Sequence, residues 1–228
     1  MTRAVSYDIS DEQQRSTAEQ VCAAALGRGE VVFVEVDGQA CLIADAFSAA
    51  GIAGLMAARN RGRGAAAAVL VRDASVVQAL FSEVDFDARA LMRNHWPGPL
   101  TLIGTPTASL RWDLGAAGEL VGLAVRMPRD PFVAGLVAAT GPCAYLAVPS
   151  VTSRADAQSD MGDLVACYAT YGPAESELPA QAKRTSIVDV RSTPAVLLRE
   201  GAFSFDDLVA TCPGLQRLVH DHDGEGDQ

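Results

Sequence analysis

The sequence predicts one α/β domain built on a mixed sheet. Three observations carry that prediction. Apolar β-branched runs alternate with segments of helical period, the pattern of strands and helices layered on one sheet. An Asp37-Gly38 pair between two apolar runs marks a hairpin, so the sheet is not purely parallel. The 228 residues are 49% hydrophobic and 20% charged, enough apolar material for one sizeable core and too much for a disordered chain.

The elements follow in order. Ser10-Asp11-Glu12-Gln13 reads as a capping box, with the Ser10 hydroxyl accepting the Gln13 N–H. The helical period then runs to about Leu26, where Gly27 and Gly29 stop it. Val31 to Val36 is a β-branched strand, and Gln39 to Ala44 returns from the Asp37-Gly38 turn as its partner. Ser48 caps an alanine-rich helix ending near Arg59. A basic, glycine-rich loop, Arg59-Asn60-Arg61-Gly62-Arg63-Gly64, leads into a strand from Ala67 to Val71. Short helices follow at Ser75–Phe81 and Asp87–His95. Trp96-Pro97-Gly98-Pro99 cannot continue a helix and turns the chain into a strand at Leu100–Ile103.

Val121 to Val125 is a further buried strand that delivers Arg126 at its C-terminal end. Asp130-Pro131 is an N-cap followed by proline at the first helical position, and that helix closes at Gly141. Strands at Cys143–Val148, Leu164–Tyr168, Ile187–Val190 and Ala195–Leu198, with a short helix at Ser204–Ala210, complete the domain. Its expected span is 1–212, leaving 213–228 as an acidic, disordered tail. Residues 172–183 read as a surface loop in the position of a lid.

Charge and cysteine usage narrow the function classes. Lys and Arg number 18 against 28 Asp and Glu, a net charge of −10. That balance repels a phosphate backbone and predicts against direct nucleic-acid binding. Five widely spaced cysteines without a C-x-x-C motif predict buried free thiols in a reducing compartment. With no apolar leader at the N-terminus and no run of membrane-spanning length, the expectation is a cytoplasmic protein without a membrane partner.

Standard catalytic motifs are missing: no phosphate-binding P-loop, no G-x-S-x-G and no H-E-x-x-H. Gly62 to Ala67 fits a loose dinucleotide pattern but follows a helix and precedes a strand, the reverse of what such a site needs. His220-Asp221-His222-Asp223 reads as a solvated charge run, because a flexible tail bears the whole ordering cost of a metal site. His95 reads as structural and Cys41 as core, and catalytic residues stay unassigned.

The arginines stand out. Arg59, Arg61 and Arg63 crowd one turn, Arg126 ends a central strand, and Arg184 and Arg199 flank late strands. In open α/β sheets ligands bind outside the carboxyl ends of strands. Guanidinium forks there match the paired oxygens of phosphate or carboxylate, although surface ion pairs with the many acidic residues would account for them as well.

Several segments, taken together, resemble the YrdC-like threonylcarbamoyl-AMP synthases. Ala44-Asp45-Ala46-Phe47 resembles the family segment after its first signature, and Arg59-Asn60-Arg61-Gly62-Arg63 its lysine-x-arginine loop. Trp96-Pro97-Gly98-Pro99-Leu100-Thr101 resembles the family's W-P-G-x-[LT], and Val125-Arg126-Met127-Pro128 its V-R-x-P. Thr185-Ser186-Ile187-Val188-Asp189 is similar to S-T-I-V-D, and Leu198-Arg199-Glu200-Gly201 to L-R-x-G. The resemblance runs in order to about Ala202.

It implies a YrdC-like twisted, mixed parallel and antiparallel sheet flanked by helices, with a deep cleft. It also implies an activity in tRNA threonylcarbamoyladenosine biosynthesis, joining threonine, bicarbonate and ATP with release of pyrophosphate, with ATP and Mg2+ at the site. By resemblance, Arg59, Arg61, Ser186 and Arg199 would take the nucleotide or its phosphates, and Arg126 a substrate carboxylate.

The departures fall on one part of that pattern. Where the family reads P-T-D-T-V-Y-G-L, this chain reads Glu35-Val36-Asp37-Gly38-Gln39-Ala40-Cys41-Leu42. Where it reads S-S-A-N, this chain has Leu146-Ala147-Val148-Pro149. Hydroxyl and amide groups are thus exchanged for apolar ones at Val36, Ala40, Ala147 and Pro149, and Glu35 adds an acid beside an anion site. The expectation is a diverged family member that keeps an arginine-lined cleft for a small anionic ligand or nucleotide, with the parent activity lost or altered. An active synthase and a non-catalytic regulatory subunit are the alternatives, and a protein partner or homodimer stays open.

Overall fold

The computed structural model describes residues 4–58, 66–116, 118–173 and 183–218. Among these residues eleven strands form one sheet. They are β1 (Val5–Asp8), β2 (Val32–Val36), β3 (Gln39–Asp45), β4 (Ala68–Leu70), β5 (Leu100–Gly104), β6 (Leu123–Arg126), β7 (Cys143–Ala147), β8 (Cys167–Thr170), β9 (Ser186–Asp189), β10 (Val196–Arg199) and β11 (Gln216–Arg217). Their spatial order is β1-β8-β2-β3-β7-β4-β6-β5-β9-β10-β11. The pairs β1–β8, β2–β8, β4–β6, β5–β9 and β10–β11 are parallel and the others antiparallel, so the sheet is mixed as predicted.

The hairpin forms where the sequence places it. Asp37 has φ +51° and Gly38 φ +77°, the two left-handed residues that a tight turn matching the strand twist requires. Val36 then faces Gln39, and Val34 faces Cys41. Along β2 the side chains alternate between two apolar clusters. Phe33 joins Leu42, Val69, Leu102, Val125 and Tyr168, while Val32, Val34 and Val36 join Cys41, Ile43 and Cys167.

Helices cover both faces. α1 (Glu12–Gly27) and α5 (Pro131–Thr140) contribute Cys22, Leu26, Phe132 and Leu136 to the second cluster. The first cluster receives Leu55 of α2 (Ala49–Ala58), Leu80 of α3 (Val77–Leu80), Leu91 of α4 (Phe86–His95), Ala157 of α6 (Arg154–Met161) and Leu208 of α7 (Phe205–Val209). Each fully buried side chain of Leu or Phe size adds roughly 1.5–3 kcal/mol. Truncating Phe33 to alanine, between strands that cannot close in, would cost about 3–5 kcal/mol.

Several expectations are corrected. The cap of α1 is Asp11, whose carboxylate accepts the Gln14 N–H at 2.8 Å, while the Ser10 hydroxyl is bonded to Asp8. Val121 is exposed, so β6 begins at Leu123. The run expected as a strand at Leu164–Tyr168 splits into a 3-10 turn, Gly162–Leu164, and β8. Strand β1 was not expected, because Val5-Ser6-Tyr7-Asp8 is short and mixed; parallel pairing with β8 makes it a strand. Helix α6 was not expected either, yet Ser153 caps it and Arg154, Ala157 and Met161 are its buried face. The ordered fold also passes the expected boundary at 212, since Leu215 is buried and β11 pairs with β10.

Candidate functional site: the Arg126 and Arg199 face of the sheet

The helices do not cover the sheet evenly. On the face that α1 and α5 share with β1, β8, β2 and β3, the strands β4, β5, β6, β9 and β10 present Ala68, Ile103, Ala124, Ile187 and Arg199, all partly exposed. Their neighbours Val69, Leu102, Val125, Val188 and Leu197 are buried on the opposite side. Arg199 of β10 lies five strands along the sheet from Tyr145 of β7.

Arg126 is buried at the end of β6 on this face. Its Nε donates to the Gly98 carbonyl at 3.1 Å, in the turn that follows a cis Trp96–Pro97 bond, and Nη2 pairs with the Asp37 carboxylate. Nη1 is buried with no hydrogen-bond partner. Leu102 stands opposite Val125, so one step along the register Thr101 lies on the same face beside Arg126, and its buried Oγ1 also lacks a partner. Two neighbouring unmade hydrogen bonds in a dry site are costly, and an arriving ligand oxygen would relieve both.

Arg199 stands on the same face through the register Arg199 to Ile187 and Thr101 to Ile187. Its Nε donates to the Thr185 carbonyl at 3.0 Å and Nη2 to the Thr185 hydroxyl at 2.8 Å. Burial, reinforced by the nearby Arg184 charge, pushes its pKa below the ordinary guanidinium value. An anion there would relieve that repulsion. The loop behind it is tightly seated: a Cβ at Gly201 would lie 2.1 Å from the Arg184 carbonyl oxygen, so the position demands glycine.

Ser186 faces the other way, toward the first cluster. Its hydroxyl donates to the Phe203 carbonyl at 2.7 Å and accepts from the N–H groups of Gly201 and Phe203, which uses its hydrogen-bonding capacity in full. Arg59 and Arg61 lie outside the described residues, as do most of the 172–183 loop and the His220–Asp223 run.

The substituted positions divide between the two faces. Val36 and Ala147 belong to the face of Arg126, and Glu35 and Ala40 to the other, while Pro149 is exposed beyond β7. Glu35 is 1% exposed; its Oε1 accepts the Tyr171 N–H at 2.8 Å and Oε2 has no partner. Burial raises the Glu35 pKa, and the Asp130 charge adds to the rise against the Tyr171 N–H and Arg154. Tyr171 donates its hydroxyl to Asp130 at 2.7 Å, and the Asp130 N–H donates to Asp37 at 2.6 Å. Burial likewise raises the Asp130 pKa.

Sequence reasoning missed Thr101, Tyr171 and the pairing of Asp37 with Arg126. The available signal was that Asp37 stays acidic in a segment otherwise rewritten, while Arg126 sits in a segment that keeps the V-R-x-P pattern. His95 is structural as expected, its Nε2 3.1 Å from the Thr211 hydroxyl and its ring edge-on to Phe203. The five cysteines are buried and none is in a disulfide. Among the described residues no helix is long and apolar enough to cross a membrane.

The fold defines an α/β protein with one mixed sheet flanked by helices. The family model described as "Telomere recombination", Sua5/YciO/YrdC, matches residues 24–201, and the chain belongs to that family. A Mycobacterium tuberculosis protein named "Putative threonylcarbamoyl-AMP synthase" is 33% identical over 204 residues, covering 87% of this chain and 91% of that protein. The Mycobacterium leprae protein of the same name is 33% identical over 203 residues, covering 87% and 89%.

Among solved structures, P. abyssi Sua5 complexed with L-threonine superposes with a TM-score of 0.76 at 21% identity, covering 94% of this chain and 61% of that one. The chain thus spans about three fifths of the Sua5 length. E. coli YciO superposes at 0.70 with 19% identity, covering 90% and 97%. These likenesses extend the YrdC-like fold to nearly the whole chain.

Proposed function

We propose that this protein is a diverged relative of the threonylcarbamoyl-AMP synthases that binds a nucleotide or small anionic ligand on the sheet face of Arg126 and Arg199, with the synthase chemistry lost or altered. The observation that carries the reading is the unpartnered Nη1 of buried Arg126 beside the unpartnered Thr101 hydroxyl, on the face that also holds Arg199. A carboxylate or phosphate oxygen would accept from both donors, and Arg199 would meet a second anionic group. Arg59 and Arg61 are assigned to the phosphates by resemblance.

Loss or alteration of the chemistry is supported by apolar Val36 and Ala147 on that face and by Glu35 behind it. Each donor missing from a charged reacting centre removes about 2–4 kcal/mol of transition-state stabilisation.

A second reading is an active synthase, favoured by 33% identity over nearly the full length of the mycobacterial relatives. In it the threonine amine adds to the bicarbonate carbon and water leaves, giving an N-carboxylate that attacks the ATP α-phosphate as pyrophosphate leaves. The chain's own part would be to orient these anions through Arg126 and Arg199. Calorimetry with ATP, AMP and pyrophosphate tests the first reading: absence of heat with all three at millimolar ligand overturns it. Pyrophosphate release that depends on both threonine and bicarbonate, and that Arg126→Gln abolishes, would establish the second in its place.

A further inference from the structure

Away from Arg126 and Arg199, α1 and β8 bring two thiols together. Cys22 on α1 and Cys167 on β8 are both fully buried, and their sulfurs lie 3.0 Å apart. They are 145 residues apart in sequence, so only the packing of α1 on the sheet makes them neighbours. A disulfide has its sulfurs 2.03–2.05 Å apart, about 1 Å closer. Cys41, Cys143 and Cys212 are also buried.

We propose that Cys22 and Cys167 are a redox modification site, an oxidisable dithiol that closes to a disulfide bolting α1 onto β8. With a peroxide as oxidant the step balances. The Cys22 sulfur attacks one peroxide oxygen and the O–O bond breaks. The leaving hydroxide takes up the thiol proton as water, and a sulfenic acid remains. The Cys167 sulfur then displaces the sulfenic oxygen, which leaves with the second thiol proton as another water. Two thiols have lost two electrons, and one peroxide has become two waters.

Burial controls the rate. Contact with Cys167 and removal from water push the Cys22 thiol well above its ordinary pKa, so the reactive thiolate is scarce while α1 is docked. Oxidation therefore waits on transient lifting of α1, and re-docking returns the sulfurs to bonding reach. The closed bond holds the edge strand pair β1–β8, whose C-terminal end leads directly to Tyr171 and its contact with Glu35.

The test uses the full chain, treated with hydrogen peroxide under native conditions and digested without reduction. The expected result is one cross-linked peptide pair joining Cys22 to Cys167, loss of two of the five thiols, reversal by dithiothreitol, and a higher melting temperature while oxidised. Cys22→Ser and Cys167→Ser should each prevent the cross-link; if either fails to fold, the wild-type peptide map decides alone. Retention of all five thiols by the native protein, or a different pairing, overturns the proposal.

Discussion

Asp37 and Arg126 hold each other across the open end of the sheet. Asp37 heads the hairpin between β2 and β3, and besides the Arg126 guanidinium its carboxylate receives the N–H groups of Arg129 at 3.0 Å and Asp130 at 2.6 Å. The hairpin is thereby tied to the chain leaving β6, and the guanidinium is held with one nitrogen to spare. The pair is a positioning device for Arg126 rather than a store of stability, since desolvating two charges offsets much of their attraction.

Breaking that pair should be expensive. Asp37→Asn suits the left-handed backbone and keeps an acceptor for the N–H groups, but it leaves a buried cation without its counter-charge. Destabilisation of about 3 kcal/mol is expected, the low end for an unpaired buried ion. Denaturant unfolding of the variant measures it, and a loss below half that value would mean that water reaches the guanidinium.

Ser186 and Arg199 should separate cleanly. Ser186→Ala strands the N–H groups of Gly201 and Phe203, costing about 1–3 kcal/mol of stability while leaving ligand affinity near wild type. Arg199→Ala should do the opposite: weaken anion binding by about tenfold or more, the effect of one charge-assisted hydrogen bond, with a small change in melting. Paired calorimetry and thermal unfolding read both.

Glu35 should impose a pH dependence. Its pKa is raised by folding, so the native state binds the proton more tightly than the unfolded chain does. The stability linked to that proton is fully present below the unfolded carboxylate pKa and is lost as pH rises through the folded one. Glu35→Gln mimics the neutral acid and should flatten the decline in melting temperature as pH rises above the ordinary carboxylate range. An unchanged slope would assign the decline to Asp130, whose pKa is raised in the same direction.

Asp130 also caps α5, its carboxylate accepting the Val133 N–H at 3.0 Å. Asp130→Ala should cost about 1–2 kcal/mol through the lost cap, and Asp130→Ser should recover most of it. Neither variant restores the acceptor for the Tyr171 hydroxyl, so the residual loss in the serine variant reports that bond.

Local chemistry was legible in the sequence wherever a few adjacent residues settle the outcome. The Asp37-Gly38 turn, the Asp130-Pro131 cap, the Trp96 turn and the stop at Gly141 all stand where propensity and turn geometry put them, and alternating apolar runs located most strands. Tertiary structure decided the rest. Strand β1 exists because β8, arriving from far along the chain, supplies its hydrogen bonds. Arg126, Thr101 and Arg199 share one face because of registers that span four strands. Periodicity assigns a residue to a face of its own strand; which strands lie side by side depends on non-local pairing and packing that no short window contains.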